Sequence, residues 1–427
     1  MYKGVNAMGM VKLADLEPRM MLAADIRNHD GRFLFASGTV LTPKHIRILK
    51  VWGIVEADIQ GTSTDEPAEL PEGVPPEVIS SARGRAVKKF LRTDPEHPAV
   101  EELKKLYIGR NISNEAPFAQ ERSFYREQTL LGECGYTVTG AQEPELLDLA
   151  SFIQNDLRLP TLPTILNKIN ETIMDPKSSA NDIASVISMD VALASRLLTI
   201  VNSAFYGFPY KIDTLSRAVA IVGTKQLTTL AFGVSIMKMF EHIPLEYIDL
   251  ESFWKHSIGC GLASRLIAGY KNIQNTERLF VAGLLHDIGR LILYSYWPCH
   301  MLKAFERARE HSLLLYEAER EELGTDHGAI GGLLVKKWRL PFLLENTIRY
   351  HHTPQKSQNR LESSIVHVAD VITNTAEVGA SGETLVPVLD SESWESLGLS
   401  TNILAPVIEH IDRQLDEIIA FFLSDPK

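Results

Sequence analysis

Seven residues in the second half of the chain have side chains suited to holding a metal ion: His256, His286, Asp287, His327, His351, His352 and Asp370. His286 and Asp287 are adjacent inside the apolar stretch GLLHDIGRL, and His351 and His352 are adjacent at the end of FLLENTIRYHH. His256, His327 and Asp370 stand in FWKHSIGCGLASRLIAGY, GTDHGAIGGLLVKKW and IVHVADVITN, each in or beside an apolar helical stretch. Imidazole nitrogens and carboxylate oxygens suit Zn, Mn, Fe or Ni without help from thiolates. A buried, unpaired carboxylate costs several kcal/mol, order of magnitude, so Asp287 in an apolar segment requires a partner. Adjacent His and Asp differ by about 100° around a helix, yet both can reach an ion lying along that edge. Side chains from separate helices can therefore converge on a site in a bundle core.

Each residue also has an ordinary explanation. A lone histidine such as His256 or His327 is more often a hydrogen-bonded core or surface residue. His351 and His352 at a helix C-terminus suit the helix dipole, and Asp370 alone is an ordinary helix carboxylate. The case for a metal rests on the seven together and on the elements that would bring them together.

Those elements begin at Leu146, where the pattern becomes almost wholly helical. LPTILNKINETIM places Ile165, Ile169 and Ile173 four apart. SSANDIASVISMD opens on Ser and Asn cap candidates, and DTLSRAVAIVG has Asp213 or Thr214 as N-cap and Gly223 as stop. With VALASRLLTIVNSAFYG and TKQLTTLAFGVSIMKMF, apolar on most sides, these segments predict five helices of about 10–17 residues in a compact bundle. A second helical block spans 249–374. Beyond it, NILAPVIEHIDRQLDEIIAFFL reads as an amphipathic helix interrupted early by Pro406, covering a core face of the same chain in preference to a dimer partner.

Ahead of the bundle, residues 10–60 read as a small α+β module. Two strands flank Asn28-His29-Asp30-Gly31, a hairpin signal. Thr42 caps a helix with Pro43 at its first position, and VEADIQ forms a last strand. GTSTDEPAELPEGVPPE is a linker by composition. Short helices at about 77–91 and 99–108 fall within the same 61–145 connector.

LPTLPTILNKI, SVISMDVALASRLLTIVNSAFYG, AVAIVGTKQLTTLAFGVSIMKMF, VAGLLHDIGRLIL, HGAIGGLLVKKWRLP and IRYHH together resemble the HDOD domain, the HD-related output domain of bacterial signalling proteins. The resemblance covers about residues 157–352. Val191 departs from it, where the family commonly has proline. Residues 10–60 are similar to a looser motif, a small domain found ahead of some HD-GYP and related HD proteins, with Arg19 in place of a family glycine. The resemblance implies a mainly α, two-lobed helical bundle of HD/HDOD type. It would comprise a helical subdomain at 146–245, an HD-like subdomain at 249–374 and a C-terminal helical extension at 375–427.

It further implies a ligand set. His256, His286, Asp287 and Asp370 match the four-ligand HD site, and His327, His351 and His352 match the additional ligands of HD-GYP phosphodiesterases, which hold more than one metal. One or two divalent ions, Fe, Mn, Zn or Ni, are thus expected. If the site is catalytic, Asp287 helps to present a metal-bound hydroxide, and Arg290 neutralises a phosphoryl oxygen. The ordinary alternative for Arg290 is a salt bridge at the bundle surface. After His352 the chain reads TPQKSQNRLESS, without the Gly-Tyr-Pro segment of HD-GYP proteins, which argues against cyclic di-GMP hydrolysis.

Composition narrows the partners. Of 427 residues, 45% are hydrophobic and 23% charged, as expected of a globular chain, and a net charge of −11 argues against broad nucleic-acid binding. Three isolated cysteines, no secretory core in MYKGVNAMGM and no long apolar run point to a cytoplasmic protein outside the membrane. The leading expectation is a regulatory output module that binds a signalling protein or small ligand, as monomer or homo-oligomer. The alternatives are a metal-dependent phosphohydrolase acting on a nucleotide or phosphoester, and a purely structural metal.

Overall fold

A computed structural model describes residues 8–60 in part, and residues 74–113, 163–174, 178–203, 205–240 and 248–423. The Asn28–Gly31 turn, most of the acidic linker and residues 114–162 lie outside the described residues.

In the N-terminal module β1 (Met8–Lys12) runs antiparallel to β4 (Glu56–Gln60), pairing Met8 with Gln60 and Lys12 with Glu56. The expected hairpin strands are β2 (Ile26–Arg27) and β3 (Phe33–Phe35), paired antiparallel. Helix α1 (Pro43–Val51) starts as predicted, with the Thr42 hydroxyl accepting the His45 N–H at 3.2 Å. Leu22, Leu41, Leu49, Ile54 and Ile59 form this module's own core.

Helices α2 (Pro76–Lys89) and α3 (Pro98–Ser113) differ from the connector helices expected from sequence. Ala86, Phe90, Ala99, Val100, Leu103 and Tyr107 are buried in the main core. Arg110 ties α3 to the Ala376 carbonyl and to Asp412 at 3.1 and 2.5 Å. An amphipathic pattern says that a face must be buried, but not against which element, so the connector reading missed this docking.

The five bundle helices are α4 (Thr164–Met174), α5 (Ala180–Ser188), α6 (Val191–Val201), α7 (Leu215–Val222) and α8 (Thr224–Met239). Two of them, at 9 and 8 residues, are shorter than predicted. Their caps are those in the sequence: Ser179 and Asp182 make a reciprocal capping box, and Thr214 accepts the Arg217 N–H. Val191 occupies the first position of α6, where proline is also at home because that N–H needs no intrahelical partner.

The second block comprises α9 (Leu250–Tyr270), α10 (Glu277–Leu285), α11 (Ile288–Tyr296), α12 (Pro298–His311), α13 (Leu315–Leu323), α14 (His327–Lys337), α15 (Phe342–Tyr350) and α16 (Arg360–Thr375). After α17 (Ser391–Leu397), α18 (Leu404–Leu423) lays Leu404, Val407, Ile408 and Ile411 into the core. Pro406 does not interrupt α18. It sits in the first turn, where a missing N–H costs nothing. One apolar core runs from α2 through both helical blocks to α18.

Among the described residues no single helix is long and apolar enough to cross a membrane. The pair α7 and α8 passes by length and composition only together, and bends by 117° between them.

Candidate metal centre

The centre is set by a break in a helix. Sequence periodicity leads one to expect His286 and Asp287 on the edge of a continuous helix. Instead α10 ends at Leu285, and Asp287, with φ −96° and ψ 7°, is the residue from which α11 restarts. Two glycines of the same motif permit the approach of neighbouring helices. A Cβ on Gly283 would lie 2.7 Å from the Cys260 carbonyl oxygen, so α10 meets α9 backbone to backbone. A Cβ on Gly289 would lie 2.0 Å from the His327 carbonyl oxygen, which brings α11 against the start of α14. At the other side His351 and His352 leave the end of α15, and Asp370 projects from the middle of α16.

These elements bring all seven sequence-predicted ligands together, with Asp287 between two sets. Its Oδ2 lies 3.3 Å from His286 Nε2 and 3.8 Å from His256 Nε2. Asp370 Oδ1 completes that set, 3.2 Å from His256 Nε2 and 3.5 Å from His286 Nε2. Asp287 Oδ1 faces the second set, 2.9 Å from His327 Nε2 and 3.8 Å from His351 Nε2. His327 Nε2 is in turn 3.3 Å from His351 Nε2 and 2.9 Å from His352 Nε2. All are buried except His352, which is half-buried and stacks on Tyr316 with ring centroids 4.3 Å apart.

The hydrogen bonds behind the rings fix which nitrogen faces inward. His286 Nδ1 donates to the Gly283 carbonyl at 2.6 Å, His351 Nδ1 to the Ile348 carbonyl at 2.7 Å, and His327 Nδ1 to Glu319 Oε2 at 2.7 Å. A carbonyl can only accept, so Nδ1 of His286 and His351 carries a proton, and in the neutral ring that binds a metal Nε2 is the atom left with a lone pair. Lone pairs gathered at about 3 Å repel unless positive charge sits among them. Moreover, His256 Nε2, His286 Nε2 and Asp287 Oδ1 are buried with no aligned hydrogen-bond partner, a state that is costly if left uncompensated. The spacing is on the order of that between donors around an ion with metal–nitrogen bonds of about 2.1 Å. The residues present fit one or two divalent ions.

Electrostatics agree that the centre demands positive charge. Burial opposes ionisation of Asp287, but Arg290, His286 and His327 hold it well below the usual carboxylate range. Asp370 is also held low against burial by the imidazoles of His256 and His286 beside it. Burial and Arg290 push His327 down, yet Glu319 and Asp287 outweigh them and raise it to about 9. Against burial, Asp287 raises His286 well above its ordinary value. Burial together with His286 and His327 pushes His351 down to about 3, and burial with His351 lowers His352.

Comparison with known proteins places the domain that carries most of these residues. Residues 159–354 match the HDOD domain model. This chain carries an HDOD domain over those residues. Over 195 residues it is 30% identical to an uncharacterised protein of Treponema pallidum (strain Nichols), a match covering 45% of this chain and 37% of that relative's length. The crystal structure of an HDOD domain protein with unknown function from Geobacter sulfurreducens is 26% identical, with a TM-score of 0.52, covering 64% of this chain and 95% of that one. A candidate phosphohydrolase from Shewanella amazonensis SB2B has the same fold at 20% identity and a TM-score of 0.50, over 65% and 98% of the two chains. A candidate signal transduction protein from Marinobacter aquaeolei VT8 has it at 20% identity and 0.50, over 66% and 63%.

Within this HDOD domain Arg290 forms the salt bridge expected as its ordinary alternative, but in the interior. It is buried, not at the bundle surface, and its Nη1 and Nε are occupied by the protein itself. Nη1 donates to Asp287 Oδ2 at 3.1 Å and to the Ser381 hydroxyl and carbonyl at 2.5 and 3.2 Å, while Nε donates to Glu319 Oε1 at 3.3 Å. Three residues around the HDOD-domain centre escape a sequence reading. Glu319 holds both the ring and the backbone N–H of His327, but sits among Glu317, Glu321 and Glu322 in what looks like a solvated charge run. Ser381 lies in a loop that gives no signal. His367 donates from Nδ1 to the His351 carbonyl at 2.8 Å, and its position three residues before Asp370 on one helix was the available clue.

Proposed function

We propose that this chain is a bacterial signal-transduction output module in which an HD-like metal centre braces a binding surface for a protein partner or small ligand. The observation that carries this reading is the occupancy of Arg290. Arg290, the guanidinium beside Asp287, spends its Nη1 and Nε donors on Asp287, Glu319 and Ser381, which favours a structural use of this cation over phosphate binding. Burial of six of the seven ligands supports it further. So does the segment after His352, which folds back onto α15: Asn346 Oδ1 accepts from the Ser357 hydroxyl at 2.6 Å and the Gln358 N–H at 2.8 Å. That segment is occupied in closing the domain.

A second reading, a metal-dependent phosphohydrolase, is favoured by one observation: Asp287 presents its two oxygens to two separate sets of imidazoles. Two ions held there would lower the pKa of a bound water and polarise a phosphoryl oxygen. In that case His256, His286 and Asp370 would hold one ion, His327, His351 and His352 the other, and Glu319 would orient His327. The fold by itself does not choose, since sites and not folds carry function.

Metal-loaded protein assayed against bis(p-nitrophenyl) phosphate and a nucleotide panel separates the two. The output reading expects no turnover beyond that of Asp287→Ala, and capture of one defined partner by wild type. Robust wild-type hydrolysis that Asp287→Ala abolishes, with no partner recovered, would overturn it.

A further inference from the structure

Residues 376–390, between α16 and α17, contain no helix or strand, yet Ala376, Val378, Ser381, Glu383, Val386 and Leu389 are all buried. Structureless segments of this length are uncommon inside a compact domain and tend to be functional. A buried loop must satisfy its backbone polar groups, and its partners include Arg290 and His367, residues that touch the metal ligands.

At its start the segment lies directly on α9. Ala380 N–H donates to the Ser252 carbonyl at 3.1 Å. Gly379 has φ +61°, and a Cβ there would stand 2.2 Å from the Ser252 carbonyl oxygen and 2.5 Å from the His256 backbone nitrogen. In its middle, Ser381 holds Arg290 through hydroxyl and carbonyl and takes the Tyr294 hydroxyl at 3.4 Å. Glu383 then accepts the Leu315 N–H at 2.8 Å, at the start of the helix that carries Glu319. Val386 N–H donates to the Lys89 carbonyl at the end of α2, at 2.8 Å. Finally Asp390 N–H donates to His367 Nε2 at 2.9 Å, behind His351.

We infer that residues 376–390 are a strap that couples the metal centre to α2, with Ser381 as the positioning residue that sets Asp287 through Arg290. This rests on the metal-centre reading. Arg290 has Asp287 on one side and Ser381 on the other, so displacing the strap changes where the shared carboxylate points. The same displacement pulls on the Val386–Lys89 bond. Metal loading and the docking of α2, the helix that follows the N-terminal module and its acidic linker, are therefore biased together.

Full-length protein is loaded with Fe, Mn, Zn or Ni, and the rate at which a chelator strips the ion is measured for wild type, Ser381→Ala, Gly379→Ala and, outside the strap, Ser396→Ala. Circular dichroism checks that each is folded. Hydrogen exchange at the Val386 amide is followed in wild type with and without metal, a readout needing no variant. The expected result is stripping roughly tenfold faster in Ser381→Ala and Gly379→Ala, the scale at which second-layer partners affect metal affinity, with Ser396→Ala unchanged. Metal removal should also speed exchange at Val386. A loaded wild type that loses metal no faster on Ser381→Ala, or whose Val386 exchange ignores the metal, overturns the strap alone. A wild type that holds none of the four metals overturns the metal-centre reading and the strap with it.

Discussion

At the scale of single residues, the chain's chemistry lies in how few side chains share the work. Asp287 faces both imidazole sets, and Glu319 holds both His327 and Arg290. Glu319→Gln removes the charge that orients His327, so metal affinity is expected to fall about 10–100-fold, read by chelator competition. A second prediction concerns pH. Burial, then Glu377, pushes Tyr107 up to about 12. Its folded value thus exceeds the ordinary value of about 10, so the stability gained by keeping it neutral is complete below that pH. It is lost as pH rises toward the folded value. Urea midpoints across this alkaline range should fall in wild type and fall less in Tyr107→Phe. Equal slopes would mean that Tyr107 does not govern the alkaline limb.

At the scale of elements, the helices were readable where local chemistry defines them. Ser179 with Asp182, Thr214 and Gly223 mark ends that the structure reproduces. The break at His286 and Asp287 was not readable, because it depends on tertiary approach through Gly283 and Gly289 and not on any local stop signal. This contrast is testable. Gly289→Ala forces α11 away from the His327 backbone and should cost about 1–3 kcal/mol, with loss of bound metal. Ser179→Ala removes a cap far from the centre and should cost about 1 kcal/mol, with metal content unchanged. Thermal unfolding and metal analysis of both variants check the pair. Equal metal loss in the two would contradict the account.

For the whole molecule, the helical class and the HDOD resemblance were legible because many separate apolar patterns agree along the chain. The seven candidate ligands were legible as types in an order, and the structure brings their donor atoms together. What the sequence withheld is how the parts close on one another. The docking of α2 and α3 into the main core, the buried strap and the internal capture of Arg290 are all contacts between distant segments. An ion that binds the folded centre and not the unfolded chain stabilises by mass action. Chelation should therefore lower the melting temperature of wild type and leave Asp287→Ala unmoved.

The most direct test of the central claim is the metal content of purified, reconstituted wild type beside Asp287→Ala, measured by plasma mass spectrometry. The account predicts one or two divalent transition-metal ions per wild-type chain and their loss from the variant. A folded wild type that retains no such metal, or a variant that binds as much as wild type, would contradict it.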